Sequence, residues 1–332
     1  MTGTAFESEI REQPEALART LREGREAVLA LGARVRETMP GWVTIAARGT
    51  SDNAARYAQY VLGANDRLAV ALAAPSLFTV FASPPRLVGS LVIGISQSGR
   101  SPDIVAVVEE GRRQGALTAA ITNEPGSALA SAAEHVLALH AGVERAVAAT
   151  KTYTTQLMTI AMLSAAISGD EARWKAIEAV PDAVARRIER EAPRAASIAQ
   201  GCKDAARFLV LGRGFDFSTA FEVALKIKET SYVLTEPYSF ADFRHGPMAL
   251  LEPGFPVLLV EGGPDDDVAS IRALLAERGA QMIAIDRPTD LPGWLAPIET
   301  VVAGQLFALA LARARGSDPD RPRGLSKVTE TR

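Results

Sequence analysis

Over the first forty residues, apolar side chains (Leu17, Leu21, Val28, Leu29, Leu31) recur at helical spacing among charged ones, and Pro40-Gly41 stops the pattern. A short apolar run follows, Trp42 to Ala47, then the polar phrase Arg-Gly-Thr-Ser-Asp-Asn, then a helical pattern carrying Tyr57, Tyr60 and Val61. This order predicts strand, polar turn, helix. The phrase returns later: Phe208 to Leu211 is apolar, Arg213-Gly214 follows, and Phe217, Ala220, Phe221 and Ala224 mark a helix. Arg48 and Arg213 are offset by 165 residues (48 to 213). A second pair of segments keeps the register. Leu91 to Ile95, a polar loop, a helix and Gly115-Ala116 match Pro256 to Val260, a polar loop, a helix and Gly279-Ala280, offset by 164 (115 to 279). Two matches in one register imply an internal duplication.

Each copy alternates short apolar runs with helical stretches, as expected of a parallel sheet covered on both faces. The predicted fold class is therefore α/β, with two tandem doubly wound parallel-sheet domains. The expected divisions are an N-terminal helical segment at 1–40, a first domain at 41–180, a second at 181–320 and a C-terminal tail at 321–332. The join falls in the charged helical stretch from Ser168 to Pro193. In such sheets ligands lie beyond the carboxyl ends of the strands, so the loops after Ala47, Ile95, Leu211 and Val260 are the candidate ligand sites.

Bulk properties narrow the partners. A formal net charge of −3 argues against nucleic acid or an anionic membrane, so any anion must be bound locally. Cys202 is the single cysteine, which excludes an intramolecular disulfide and suits a reducing compartment. His135, His140 and His245 are scattered, with no metal-ligand spacing, and neither metal nor cofactor is expected. The first dozen residues carry Glu7, Glu9, Arg11 and Glu12 rather than the apolar core of a signal peptide. Leu157 to Ile167 is too short to cross a bilayer and reads as a buried helix. A cytoplasmic protein is the expectation.

The loop after Ile95 reads Ser96-Gln97-Ser98-Gly99-Arg100-Ser101-Pro102-Asp103. Small hydroxyls and a glycine let backbone N–H groups face a ligand, and Ser101 with Pro102 suits the start of a helix. With the helix dipole this makes a phosphate cradle, although an ordinary capped turn fits the same residues. The matching loop in the second copy reads Val260-Glu261-Gly262-Gly263-Pro264-Asp265-Asp266-Asp267, where four carboxylates would repel a phosphate. Two further hydroxyl-rich turns, Thr50-Ser51 and Ala148-Ala149-Thr150-Lys151-Thr152, lie in the first copy. Each alone would pass for a helix cap; three together favour a phosphate site.

On the helix near Phe217, Glu222, Lys226 and Glu229 share one face amid apolar neighbours. A solvated salt-bridge ladder and a general base beside a tuning lysine both fit this spacing. His245 sits in the turn Phe243-Arg244-His245-Gly246-Pro247, open to an acid–base role or an interface contact. The segment from Arg321 to Lys327 has the composition of a floppy end.

Taken together these residues resemble the isomerase half of the glutamine-dependent glucosamine-6-phosphate synthases and their sugar-isomerase (SIS) relatives. The matching phrases are Glu9-Ile10 with Glu12-Gln13-Pro14, Ser96-Gln97-Ser98-Gly99, Ala149-Thr150-Lys151 with Thr154-Thr155-Gln156, Leu225-Lys226-Ile227-Lys228-Glu229, His245-Gly246-Pro247 and the stretch from Pro322 to Lys327. The resemblance implies two SIS domains, a homodimer and a phosphorylated hexose or amino hexose as ligand. It implies phosphate bound by Ser96, Gln97, Ser98 and Ser101, with Thr50, Ser51 and the backbone from Val147 to Ala149 near the sugar. By the same resemblance Glu229 moves a proton between C1 and C2, with Lys226 and Glu222 assisting. His245, from the neighbouring subunit, opens the ring, and Lys327 reaches the open-chain carbonyl.

The chain departs from the synthases: no glutaminase segment or N-terminal nucleophilic cysteine is expected, Arg48 replaces a small residue, and Ala149 replaces a serine. These forms, with Ser326-Lys327-Val328-Thr329, are more similar to the SIS-type glucosamine-6-phosphate deaminases. The expectation is conversion of glucosamine 6-phosphate to fructose 6-phosphate and ammonia. The alternatives are a fructosamine-phosphate deglycase, a galactosamine-6-phosphate deaminase, an ammonia-using synthase subunit, or a non-catalytic sugar-phosphate-binding regulator.

Overall fold

The structure, a computed structural model, describes residues 3–262, 265–287 and 290–327. In chain order the elements are helices α1 (Ala5–Arg11), α2 (Gln13–Glu23) and α3 (Arg25–Thr38), strand β1 (Trp42–Ala46), α4 (Gly49–Asp66), β2 (Val70–Leu72), α5 (Ser76–Thr79) and β3 (Ser90–Ile95). Then come α6 (Pro102–Arg113), β4 (Leu117–Thr122), α7 (Ala128–Ala132), β5 (His135–Ala138), α8 (Lys151–Ser168), α9 (Glu171–Glu178) and α10 (Val180–Cys202). The remainder is β6 (Arg207–Gly212), α11 (Phe217–Ser231), β7 (Leu234–Ser239), α12 (Phe240–Arg244), β8 (Pro256–Val260), α13 (Asp265–Glu277), β9 (Gln281–Ile285) and α14 (Ala296–Ala314).

The chain divides into two compact units, one holding each predicted copy. The first comprises Gln13–Glu144, Lys151–Pro181 and residues 326–327; the second comprises residues 3–12, Arg145–Thr150 and Asp182–Leu325. These divisions differ from the sequence expectation at three places, each with a local cause. The N-terminal helical segment 1–40 is split, because the backbone N–H groups of Ala5 and Phe6 donate to the Asp320 carboxylate at 2.7 and 2.9 Å, in the second unit. Arg145–Thr150 joins the second unit, where Ala146 N donates to Glu9 Oε2 at 3.2 Å. Residues 326–327 leave the tail 321–332 for the first unit, through Lys327.

In the first unit five parallel strands lie in the order β2-β1-β3-β4-β5, with Val43 opposite Val70 and Leu91, and Leu91 opposite Leu117. Every residue of β3 and β4 is buried, the mark of a parallel sheet covered on both faces. Helices α5, α6 and α7 cover one face through a core of Val92, Ile104, Val107, Val108 and Leu129. Helices α2, α3 and α4 pack around α8, whose first sixteen residues are all buried, as its apolar composition predicted.

The second unit carries four parallel strands in the order β7-β6-β8-β9, with Leu209 opposite Val257 and Val257 opposite Met282. Phe240 and Phe243 of α12 and Ile271 and Leu275 of α13 share a core with Leu209, Leu211, Val257 and Leu259. Helices α11 and α14 pack together so closely that a Cβ on Gly304 would meet Val223 Cγ2 at 2.1 Å. Helix α14 is long and apolar enough to span a membrane, and it is buried inside this unit.

In both sheets the strand order reverses at the first strand, between β1 and β3 and again between β6 and β8. Ligands of open α/β sheets bind at such switch points.

Candidate active site

At the first unit's switch point β1 runs into α4 through Arg48-Gly49, with Thr50 and Ser51 in the first helical turn. Ser51 Oγ is buried and accepts from Gln156 Nε2 of α8 at 3.0 Å. Strand β3 runs into α6 through the serine loop. Ser96 Oγ accepts from Gly99 N at 3.1 Å, and Ser98 Oγ from Arg100 N at 3.4 Å. Gly99 has φ +62°, and a Cβ there would meet Ser127 Oγ at 2.0 Å, so only glycine fits this turn. Ser101 and Pro102 take the predicted places at the start of α6, but the Ser101 hydroxyl makes no capping bond. Among the described residues neither that hydroxyl nor the N–H groups of Ser98 and Ser101 have a partner. Unspent donors at the positive end of a twelve-residue helix are able to hold an anion. Gln97 of this loop also lines a cleft of about 350 Å3, with Asn123, His140 and Glu144.

The charged stripe of α11 is not solvated. Lys226 and Glu222 have no exposed side-chain surface, and Glu229 keeps 21%. Lys226 Nζ donates to Glu229 Oε2 at 2.6 Å and lies 3.4 Å from Glu222 Oε1. The spacing set the shared face, and tertiary packing around α11 buries it. An ammonium between two carboxylates in the interior is a buried ion-pair cluster rather than a solvated surface ladder. His245 lies at the C-terminal end of α12, exposed, and makes no side-chain bond with the described residues.

The tail is tethered, contrary to its composition. Arg323 N donates to the Tyr232 hydroxyl at 3.0 Å, and its guanidinium lies 3.9 Å from the Tyr232 ring centre. Lys327 Nζ donates to Glu144 Oε2 at 2.7 Å. Val328 and Thr329 of the deaminase-like phrase lie outside the described residues. Val147 and Ala149 are half-buried, in a segment whose start is fixed by Glu9, whose carboxylate accepts from Arg145 N and Ala146 N.

The second switch point repeats part of this construction. Gly49 and Gly214 both have positive φ, +54° and +60°. Arg48 Nε donates to Asp103 Oδ2 at 2.9 Å, and Arg213 Nε lies 2.6 Å from Asp267 Oδ2, the same bridge in each copy from a strand-end turn to the helix after the neighbouring strand. Here the crevice is occupied by the buried Asp216, whose Oδ1 accepts from Thr300 Oγ1 at 2.6 Å and Thr219 Oγ1 at 3.1 Å. A Cβ on Gly262 would meet Asp216 Oδ2 at 2.1 Å. Burial pushes the Asp216 carboxyl up to about 6. Nearby, Glu299 is pushed up to about 7, chiefly by burial and then by Asp290. Gly263 and Pro264 of the acidic loop lie outside the described residues. Sequence reasoning missed Asp216, Glu299 and Glu144; only the recurrence of Arg-Gly before Asp216 hinted at the first. No group of three or more His, Cys, Asp or Glu among the described residues could hold a metal ion.

Two parallel sheets with matching strand-end turns define a duplicated α/β class of fold. The chain belongs to the SIS domain family, whose model matches residues 42–166 and 203–290. It is 35% identical, over 96% of its length, to the glutamine–fructose-6-phosphate aminotransferase [isomerizing] of Aeropyrum pernix, and covers 56% of that protein. The chain thus spans about half the length of the curated relatives it matches. A Silicibacter pomeroyi protein provisionally named a phosphosugar isomerase shares 34% identity at a TM-score of 0.89, with 96% of this chain and 100% of that one covered. The C-terminal domain of glucosamine-fructose-6-phosphate aminotransferase from Francisella tularensis shares 26% identity at a TM-score of 0.85, with 96% and 98% covered.

Proposed function

We propose that this chain converts glucosamine 6-phosphate and water to fructose 6-phosphate and ammonia, as a phosphosugar isomerase that also deaminates. The observation that carries this reading is Lys226, an ammonium with no exposed side-chain surface, 2.6 Å from Glu229 and 3.4 Å from Glu222. A buried ion pair is weak evidence for stability, and active sites are where such charge clusters concentrate. A proton shift between C1 and C2 needs a carboxylate base and a nearby cation to stabilise the charge that develops on oxygen.

In this reading the serine loop, Ser96, Gln97, Ser98 and Ser101, holds the phosphate, with Thr50, Ser51 and the Val147 to Ala149 backbone along the sugar. His245, from the neighbouring subunit of a homodimer, opens the ring. Lys327 meets the open-chain carbonyl, and Glu229 takes the proton from C2 and returns one at C1. The resulting C2 imine takes up water and loses ammonia, which leaves the ketose. Relatives named as aminotransferases support the isomerase chemistry; Ala149 favours deamination. Arg48 does not bear on that choice, since its bridge to Asp103 recurs at Arg213 and Asp267.

Incubating the protein with a panel of amino-sugar 6-phosphates and measuring ammonia and ketose 6-phosphate tests the proposal. Both products should form in equal amounts from glucosamine 6-phosphate. Tight binding without either product from any member would identify a sugar-phosphate-binding regulator instead.

A further inference from the structure

The carboxylate that receives Lys327 has features of its own. Glu144 has no exposed side-chain surface, and it immediately precedes the segment from Arg145 to Thr150. Its Oε1 accepts from Thr152 N at 3.0 Å, and its Oε2 from Thr152 Oγ1 at 2.7 Å. The first turn of α8 thereby fixes the carboxylate in place. A buried carboxylate is costly without a counter-charge, and a lysine is a natural counter-ion. That lysine comes from a point 183 residues away, in the tail, and is one-quarter exposed. Glu144 also lines the 350 Å3 cleft to which Gln97 of the serine loop contributes. The cleft therefore has in its lining both a residue of the serine loop and the carboxylate that receives the tail amine.

We infer that Glu144 is a positioning residue: its fixed carboxylate docks Lys327 beside the cleft and so sets the reach of the tail amine toward a phosphosugar carbonyl. This rests on the reading of Lys327 as the carbonyl-directed amine. The charged hydrogen bond to Glu144 sets where the amine sits, and that placement shifts when the bond is removed. Misplacement by an ångström costs about 10²-fold in rate.

The test uses Glu144→Gln, Lys327→Met and the double variant, each checked by a thermal melt because Glu144 also holds α8. Turnover and KM are measured on glucosamine 6-phosphate. Placement of the tail is read separately, as the rate at which Lys327 is acetylated by acetic anhydride at fixed pH, quantified by mass spectrometry. Glu144→Gln keeps an oxygen for Thr152. It should leave KM within about twofold, lower turnover by about 10²-fold, and raise Lys327 acetylation several-fold. The double variant should match Lys327→Met alone, since one residue acts through the other. Should Glu144→Gln fail to fold, Glu144→Asp carries the test, because it keeps the charge with a shorter reach; it should label faster than the parent and turn over more slowly. Unchanged acetylation, or losses that multiply in the double variant, would overturn the inference. Parental turnover in Lys327→Met overturns instead the role of Lys327 itself. That outcome is distinguishable from failure of Glu144, in which Lys327→Met is impaired while Glu144→Gln is not.

Discussion

Strand β1 leaves its sheet through Arg48-Gly49, and β6 leaves its own through Arg213-Gly214, both glycines at positive φ and both arginines bridged to an aspartate in the next strand-end helix. Beyond that shared frame the two switch points diverge. In the first unit the second loop supplies hydroxyls and unspent amides. In the second it supplies carboxylates, and Asp216 occupies the crevice against Gly262. The duplication kept the backbone solution in both copies and the hydroxyl-rich loop in one. The second copy carries its charge elsewhere, on the buried face of α11. The lesson is that a repeated turn marks where a site can be built, and the polarity of its donors marks whether one was.

That contrast is open to attack from several sides. The largest effect belongs to α11: Glu229→Gln removes basicity and keeps size, so turnover should fall by about 10² to 10⁴. Phosphosugar affinity, measured by calorimetry, should hardly move. Exchange of the C2 proton into heavy water at the parental rate would show that the α11 stripe has no part in the chemistry.

Next in size is Ser98→Asp, which sets a carboxylate against the phosphate and should weaken phosphosugar binding about a hundredfold. An affinity close to the parent's would remove the serine loop from the ligand site.

A third prediction concerns the filled crevice and runs through pH. The Asp216 carboxyl is raised from 3.8 to about 6 in the folded chain, so the native state holds its proton where the unfolded chain has lost it. Its contribution to stability is complete below about pH 4 and is lost as pH rises through about 6. Asp216→Asn imitates the protonated group and keeps an oxygen for Thr219 and Thr300. It should flatten the fall in melting temperature between pH 4 and 6 and raise stability at pH 8 by about 2 to 3 kcal/mol. A residual slope up to about pH 7 should remain from Glu299. An unchanged pH profile would mean that Asp216 is not the titrating group.

The smallest expected effect is the complement of the second prediction. Asp266→Ser, in the acidic first turn of α13, should leave phosphosugar affinity within about twofold of the parent. A loss like that of Ser98→Asp would abolish the asymmetry between the copies.

Much of this was legible before any coordinates. The runs Leu91–Ile95 and Pro256–Val260 fall within β3 and β8, and the repeat of Arg-Gly gave two units because turn chemistry is local. Which hydroxyls cluster was readable for the same reason: Ser96, Ser98 and Ser101 lie within six residues of each other. Burial of Lys226 was not readable, since helical spacing tells which side chains share a face but not what packs over it. Glu144 was missed because its partner sits 183 residues away. Asp216 looked like an ordinary polar turn residue, and its two hydroxyl partners include Thr300, 84 residues on. The tail misled because composition reports the entropy of a free end and not the tether that removes it.

The clamp between the chain's beginning and end has a consequence for how the protein is made. Helix α1 packs with α14, and its first two N–H groups are held by Asp320. Both belong to the second unit, whose remaining described segments begin at Arg145. A ribosome delivers residues in order at roughly 5–20 per second, so α1 emerges about 15 to 60 seconds before its partners exist. Meanwhile every strand of the first sheet, β1 through β5, has been synthesised and can close on local contacts. The first sheet is therefore expected to form cotranslationally, while the second waits for the last helix. An arrested nascent chain ending near residue 290 should carry a protease-resistant first sheet with α1 still open to cleavage.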